Sequence, residues 1–209
     1  STEALGSTYK GRHAGTFGAF GTSSFNGNKI ITTGGGGMIF TQQADLAARA
    51  KHLTTTAKTD PLDYFHDETG YNYRLVNVLA AMGVAQLEQF SGFLTAKRKM
   101  DAFYREELAG IGDIRFQEVT PGVTPNCWLF TFRTHRMREL LTYLNANGVQ
   151  SRPFWTPMNQ LPMYAGWRYY HQGDNSSSLH AEAISIPSSS SITMDQMVEV
   201  VGKIRAFFA

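Results

Sequence analysis

The stretch Ser23-Ser24-Phe25-Asn26-Gly27-Asn28-Lys29-Ile30-Ile31-Thr32-Thr33-Gly34-Gly35-Gly36-Gly37-Met38-Ile39 sets one cation between a hydroxyl-rich arm and four glycines, and apolar residues resume directly after it. A lysine on a solvated surface needs no such surroundings. A lysine that forms a Schiff base does: it must be held still, partly desolvated and approached closely by a flat partner. Desolvation disfavours an ammonium, and only a neutral amine attacks a carbonyl. Lys29 lies between two expected strands, which suits burial. A lysine in a surface hairpin would show the same spacing.

The flanking residues carry their own chemistry. Ser24, five residues before the lysine, offers a hydroxyl to a phosphate oxygen, and Asn26 and Asn28 add donors. The same residue types also serve ordinary turns. Gly34 to Gly37 do not make a phosphate loop. That pattern needs Gly-Lys-Ser/Thr opening a helix, and here the glycines follow the lysine and lead into a strand. They suit close approach of a neighbouring backbone or a ligand, or else a flexible hairpin. Further on, Gly70-Tyr71-Asn72-Tyr73-Arg74-Leu75 sits where an irregular loop meets a helix. Asn72 and Arg74 can hold an anion near that helix start, or Asn72 can cap the helix while the tyrosines pack.

The 209 residues suit one domain or one and a half, and 42% hydrophobic with 12% aromatic residues can bury a sizeable core. A charged fraction of 17% excludes a highly charged disordered chain. The net charge of +2, with basic residues scattered, gives no footprint for nucleic acid. The short run Lys97-Arg98-Lys99 reads as a solvated helix face. The one cysteine, Cys127, stands before Trp128-Leu129-Phe130 and reads as a buried strand residue rather than a nucleophile. No apolar run reaches membrane-spanning length, and a cytoplasmic location is expected. The six histidines form no His-x-His or His-Glu-x-x-His pattern. His66-Asp67-Glu68 reads as a solvated loop cluster, so no metal is expected.

Apolar periodicity predicts alternating strands and helices, hence an α/β chain. Strands are expected over 19–25, 37–41, 127–132 and 184–187, and helices over 43–53, 75–90, 92–108, 137–144 and 193–208. The helix over 75–90, with almost no charge, is expected to be buried. Asn147-Gly148 should close the helix before it, and Thr193 with Gln196 has the spacing of a capping box. Residues 54–73 and 151–173 read as long loops.

Taken together and in order, these motifs resemble a known family. The segment from Ser24 to Met38 resembles the active-site stretch of the DegT/DnrJ/EryC1/StrS family of pyridoxal-phosphate-dependent nucleotide-sugar aminotransferases. Gly70 to Leu75 is similar to that family's Gly-Tyr-Asn-x-Arg-Leu segment. Leu5 to Gly11 and Gly15 to Gly18 match the stretch before the lysine, and Arg152-Pro153-Phe154-Trp155 with Leu161-Pro162-Met163-Tyr164 look like its substrate-side loop. Each motif alone is weak, but the ordered set spans nearly the whole chain. The wording is nearest the branch that makes UDP-linked 4-amino sugars such as bacillosamine and legionaminic acid precursors.

The resemblance implies the C-terminal part of a fold-type I, aspartate-aminotransferase-like transferase. Residues 1–111 would complete the cofactor-binding large domain and 112–209 would form a small α/β domain. Lys29 would hold pyridoxal 5'-phosphate as a Schiff base and move the proton. Ser24 would bind the cofactor phosphate, Glu3 would lie near the ring hydroxyl, and Asn72 would reach the cofactor of a partner subunit in a homodimer. Arg152 and Trp155 would meet the nucleotide sugar. The implied reaction converts a 4-keto nucleotide sugar to a 4-amino sugar with glutamate as donor. Family members that carry His in place of the lysine are dehydratases, so Lys29 favours transamination. Members extend further on the N-terminal side, where a glycine-containing phosphate turn, a ring-stacking aromatic and the Asp that pairs the pyridine nitrogen are found. The chain opens at Ser1-Thr2-Glu3 with no Met. It is therefore expected to be a segment of a longer protein, unable by itself to hold the cofactor competently. A catalytically silent module of the same fold is the alternative.

Overall fold

The computed structural model describes residues 1–209. In chain order the elements are β1 (Thr8–Tyr9), β2 (Arg12–His13), β3 (Gly21–Ser24), β4 (Gly37–Phe40), α1 (Ala44–Thr54), α2 (Asn77–Glu88), α3 (Phe90–Glu107), β5 (Arg115–Phe116), β6 (Val123–Thr124), β7 (Phe130–Arg133), α4 (Met137–Ala146), β8 (Arg152–Pro153), α5 (Asn175–Glu182), β9 (Ala183–Ile186) and α6 (Met194–Phe208). They form two compact units, one of Ser1–Thr95 with Val119–Trp128, the other of Ala96–Glu118 with Leu129–Ala209.

In the first unit β1 is the middle strand of a three-stranded antiparallel sheet, paired with β2 and with β6. The segment 119–128 is thereby returned beside the N-terminal residues. β3 and β4 pair antiparallel from Gly21↔Phe40 to Ser24↔Gly37, so the lysine loop is the connection of a hairpin. A Cβ on Gly37 would lie 2.4 Å from the Ser23 carbonyl oxygen, and only glycine allows that approach. The expected strands over 19–25 and 37–41 are these two, trimmed at their ends.

The helix expected over 75–90 is present as α2 but has no buried residue. Val78 is 69% exposed, and Val76, Met82, Val84 and Leu87 are also open. Expected burial is corrected here: a helix apolar on every side needs cover on every side, and this chain covers only one face in part, at Leu79, Ala80, Gly83 and Gln86, the last two meeting the lysine loop. The loop over 54–73 is irregular as expected. It is tied across by bridges Thr55↔Asn72 and Lys58↔His66 and carries left-handed Thr56, Ala57 and Tyr64.

The second unit is built on an antiparallel sheet ordered β5-β7-β9-β8. The period-2 alternation of β7 buries Phe130 and Phe132 and leaves Thr131 and Arg133 half-buried. Over that face lie Met137, Leu140 and Leu144 of α4, Met197, Val200, Val201 and Ile204 of α6, and Met100 and Tyr104 of α3 with Leu108 just beyond it. These follow the i, i+3, i+4, i+7 spacing of a core-facing stripe, each large apolar side chain contributing about 1.5–3 kcal/mol. The capping box is formed, with the Gln196 amide donating to Thr193 Oγ1 and the Gln196 side chain accepting from the Thr193 amide. Gly148, at φ +79°, lets the chain turn back after α4 so that the Val149 amide reaches the Leu144 carbonyl.

Two further expectations are corrected. Lys97 is buried rather than on a solvated face, because it shares the inward stripe of Met100 and Tyr104, and its amine donates to the Ser188 carbonyl. Tyr104 makes the companion bond, its hydroxyl donating to the Pro187 carbonyl at 3.0 Å, and burial pushes its pKa up to about 12. Cys127 is neither buried nor in a strand. It takes a left-handed conformation at φ +54° and the strand starts at Phe130, because the Asn126 side chain accepts the Trp128 amide across it and ties the segment to the Glu3 carbonyl.

Candidate active site around Lys29

The lysine loop is closed by its own backbone. The Phe25 amide donates to the Gly36 carbonyl, the Thr33 amide to the Phe25 carbonyl and the Lys29 amide to the Asn26 carbonyl, each at 3.0 Å. Phe25, Ile31 and Thr33 are buried and anchor the loop from beneath. Its far side rests on α2, where Gln86 Oε1 accepts the Thr32 amide at 3.3 Å. Gly36, at φ +86°, faces the Leu75 side chain, and a Cβ there would lie 2.8 Å from it. The glycines thus serve close approach at Gly36 and Gly37, while Gly34 and Gly35 face open space.

On this base Lys29 points inward, its side chain only 12% exposed. Its Nζ is ion-paired with Glu3 Oε1 and lies 4.5 Å from the centre of the Trp128 ring. Thr2 Oγ1 donates to the other oxygen of Glu3 at 2.5 Å. The Lys29 ammonium, and after it the Thr2 hydroxyl, holds the Glu3 carboxyl below the usual carboxylate range, so Glu3 is anionic at neutral pH. The Trp128 indole N–H donates to the Asn28 carbonyl at 2.7 Å.

Asn126 holds the remaining pieces together. Its side-chain amide donates to the carbonyls of Glu3 (2.7 Å) and Leu5 (3.0 Å), and its oxygen accepts the Trp128 amide at 3.1 Å. Its backbone amide donates to Ser7 Oγ at 3.0 Å. Thr2, Glu3, Leu5, Ser24, Lys29 and Trp128 line a cleft with about 10 Å³ of free volume, room for one water.

Of the residues singled out in the sequence, the structure therefore brings Glu3, Ser24 and Lys29 to one cleft. Ser24 Oγ accepts the Asn26 amide at 3.4 Å, which leaves its O–H to donate outward. Asn72 is exposed at the end of its loop, beside the stacked rings of Tyr71 and Tyr73. It does not cap α2, whose first flanking residue is Val76 without a side-chain cap. Arg152 and Trp155 lie in the second unit. Arg152 is an exposed residue of β8, and Trp155 is 59% exposed and edge-on to Phe154. Asn126 and Trp128 went unnoticed in the sequence as site residues. They lie about a hundred positions from Lys29, and nothing local signals the encounter.

The loop cluster His66-Asp67-Glu68 is rearranged. His52, not His66, joins Asp67 (2.8 Å) and Glu68 (3.3 Å). The Arg49 guanidinium holds both oxygens of Glu68 and supplies the positive charge there.

As a donor set, the cleft fits pyridoxal phosphate: a sheltered primary amine for its aldehyde, a carboxylate beside that amine and an outward-donating hydroxyl on Ser24. A free volume of about 10 Å³ is too small for the cofactor, so these residues, set as a wall, do not enclose it by themselves. Fold and wall together define the class, the C-terminal part of a fold-type I, aspartate-aminotransferase-like transferase. The chain belongs to the DegT/DnrJ/EryC1/StrS aminotransferase family, whose profile matches residues 1–205. Pyridoxal phosphate is the cofactor of that family.

EpsN of Bacillus subtilis strain 168, provisionally described as a pyridoxal phosphate-dependent aminotransferase, is 36% identical, covering 96% of this chain and 53% of its own length. GDP-perosamine synthase of Escherichia coli O157:H7 is 33% identical, covering 99% of this chain and 57% of its own. The dTDP-3-amino-3,4,6-trideoxy-alpha-D-glucose transaminase of Streptomyces venezuelae is 30% identical over 79% of this chain. Among solved structures, DesV of S. venezuelae superposes with a TM-score of 0.89 at 27% identity, covering 99% of this chain and 56% of that one. The chain spans about half the length of the curated relatives it matches.

Proposed function

We propose that the protein carrying this chain is a cytoplasmic, homodimeric, pyridoxal-phosphate-dependent aminotransferase. It replaces the keto oxygen of a nucleotide-linked sugar with an amino group. The keto group is at carbon 4, and glutamate supplies the nitrogen. The observation that carries the reading is the Lys29 amine, sheltered in a hairpin loop and aimed into a cleft shared with Ser24 and Glu3.

When bound, the cofactor supplies an electron sink for the carbon that gains or loses the amino group. The chain's own residues hold and position. Lys29 Nζ is the attachment point and, once released, the group that carries the proton to and from the reacting carbon. Ser24 donates its hydroxyl to a phosphate oxygen. Glu3, anionic beside the amine, keeps Lys29 oriented and would hold the ring hydroxyl. Asn72, exposed on its loop, would hold the cofactor phosphate of the partner subunit. Arg152 and Trp155, both exposed, contact the nucleotide sugar. In this reading residues 1–111 belong to the large, cofactor-binding domain and 112–209 to the small one.

The motif wording favours a uridine diphosphate carrier, but the relatives described above have GDP- and dTDP-linked names, which favour other carriers. The test is amine transfer from glutamate by the full-length protein to 4-keto sugars on UDP, GDP and dTDP. Amino-sugar product with one of them, abolished in Lys29→Ala, supports the proposal. Turnover that survives Lys29→Ala refutes it.

A further inference from the structure

Trp128 touches the lysine segment at two points. Its ring face lies 4.5 Å below Lys29 Nζ, and its indole N–H is bonded at 2.7 Å to the carbonyl of Asn28, the residue just before the lysine. One rigid side chain thus restrains both the amine and the backbone from which it springs. Glu3 closes the amine from another side. Trp128 is itself fixed from behind, because its amide is bound by the Asn126 side chain, which also holds the Glu3 carbonyl. Between Asn126 and Trp128 the chain passes through left-handed Cys127, a conformation that a non-glycine residue keeps only where its surroundings impose it. All these groups lie in one compact unit.

We propose that Trp128 is a positioning residue for the Lys29 amine. A cation above an aromatic face is attracted to the ring quadrupole, so the ammonium is centred over the indole, and the bond to Asn28 sets the height of the loop. The amine is thereby presented to an incoming aldehyde from one fixed point instead of sweeping the many rotamers of a free lysine. In this role Trp128 takes no part in bond making and acts only through the position it gives the Lys29 amine. The value of the placement for cofactor capture rests on the functional reading above, whereas the placement itself does not.

The experiment uses the full-length apoprotein. Reductive methylation with isotope-labelled formaldehyde gives each lysine a dimethylamine signal, and that of Lys29 is assigned by its loss in Lys29→Met. The expected Lys29 signal is displaced upfield by the indole ring current, returns to the solvent-exposed position in Trp128→Leu and keeps part of its displacement in Trp128→Phe. In a separate, unmethylated sample, whose primary amines still condense with an aldehyde, pyridoxal phosphate is added, the product reduced with borohydride and the site read by peptide mass. Capture at Lys29 is expected to slow about tenfold in Trp128→Leu and to stay nearer the wild-type rate in Trp128→Phe. An undisplaced wild-type signal, or wild-type capture by Trp128→Leu, overturns the proposal. If Trp128→Leu does not fold, Trp128→Phe decides: reduced displacement supports the placement, and full wild-type displacement overturns it. A displaced signal with no capture by wild type supports the placement and sinks the functional reading instead.

Discussion

Replacing Asn126 with Ala should unlock the site without touching any charged group. The substitution removes three side-chain hydrogen bonds, to the Glu3 carbonyl, to the Leu5 carbonyl and from the Trp128 amide. Asn126 is only 6% exposed, so water does not readily replace those partners. At a net 1 kcal/mol per bond, the loss is about 3 kcal/mol. For a chain of this length that corresponds to a fall in Tm of roughly 6–12 °C. Asn126→Asp sharpens the test. It keeps an acceptor for the Trp128 amide but loses both donors and turns a carboxylate toward two carbonyl oxygens. It should therefore be at least as unstable as the alanine variant. Thermal unfolding followed by far-ultraviolet circular dichroism at neutral pH measures both. An Asp variant melting within about 2 °C of wild type would mean that the Asn126 amide is not what binds the N-terminal segment to the Trp128 loop.

Acid should weaken the second unit. The Thr134 hydroxyl, and after it the His135 amide, lowers the pKa of Asp113, and the Arg133 guanidinium lowers that of Glu182. A carboxyl depressed in the folded state stabilises the fold above its unfolded pKa and loses that contribution as pH falls through the folded value. Asp113→Asn and Glu182→Gln should therefore flatten the loss of stability between about pH 5 and pH 2. Denaturant melts across that range check it, and an acid limb as steep as wild type in both variants counts against these pairs. At the start of α6, Thr193→Ala removes the capping box and should cost about 1 kcal/mol, read as a lower urea midpoint at unchanged slope. No change would mean that the box is not holding the helix start.

The parts of this fold that were legible in the sequence are those with local causes. The lysine hairpin is announced by β-favouring residues on either side of a turn-rich run. Thr193 with Gln196, and Asn147-Gly148, mark helix ends through bonds made within four residues. The parts that were not legible have distant causes. β1, β2 and β6 are two residues each, too short to show a period, and β6 pairs with β1 across more than a hundred positions. α5 is a Ser-rich helix with little apolar periodicity to reveal it. Cys127 sits among strand-forming neighbours, yet the Asn126 side chain overrules their propensity. The burial expected for α2 rested on its composition, and composition does not say whether the rest of the chain packs against it. In the site itself, Lys29 and Ser24 were readable because they share one turn. Glu3 entered only through family resemblance, and the Asn126–Trp128 clamp had no sequence signal, since its partners meet only in the folded chain.

The most direct measurement is site-resolved capture of pyridoxal phosphate by the full-length protein, fixed with borohydride and mapped by peptide mass. The account predicts one phosphopyridoxyl group on the peptide containing Lys29, absent in Lys29→Ala while the fold is retained. A label spread over the exposed lysines, or seated on another residue with Lys29 unmodified, would contradict it.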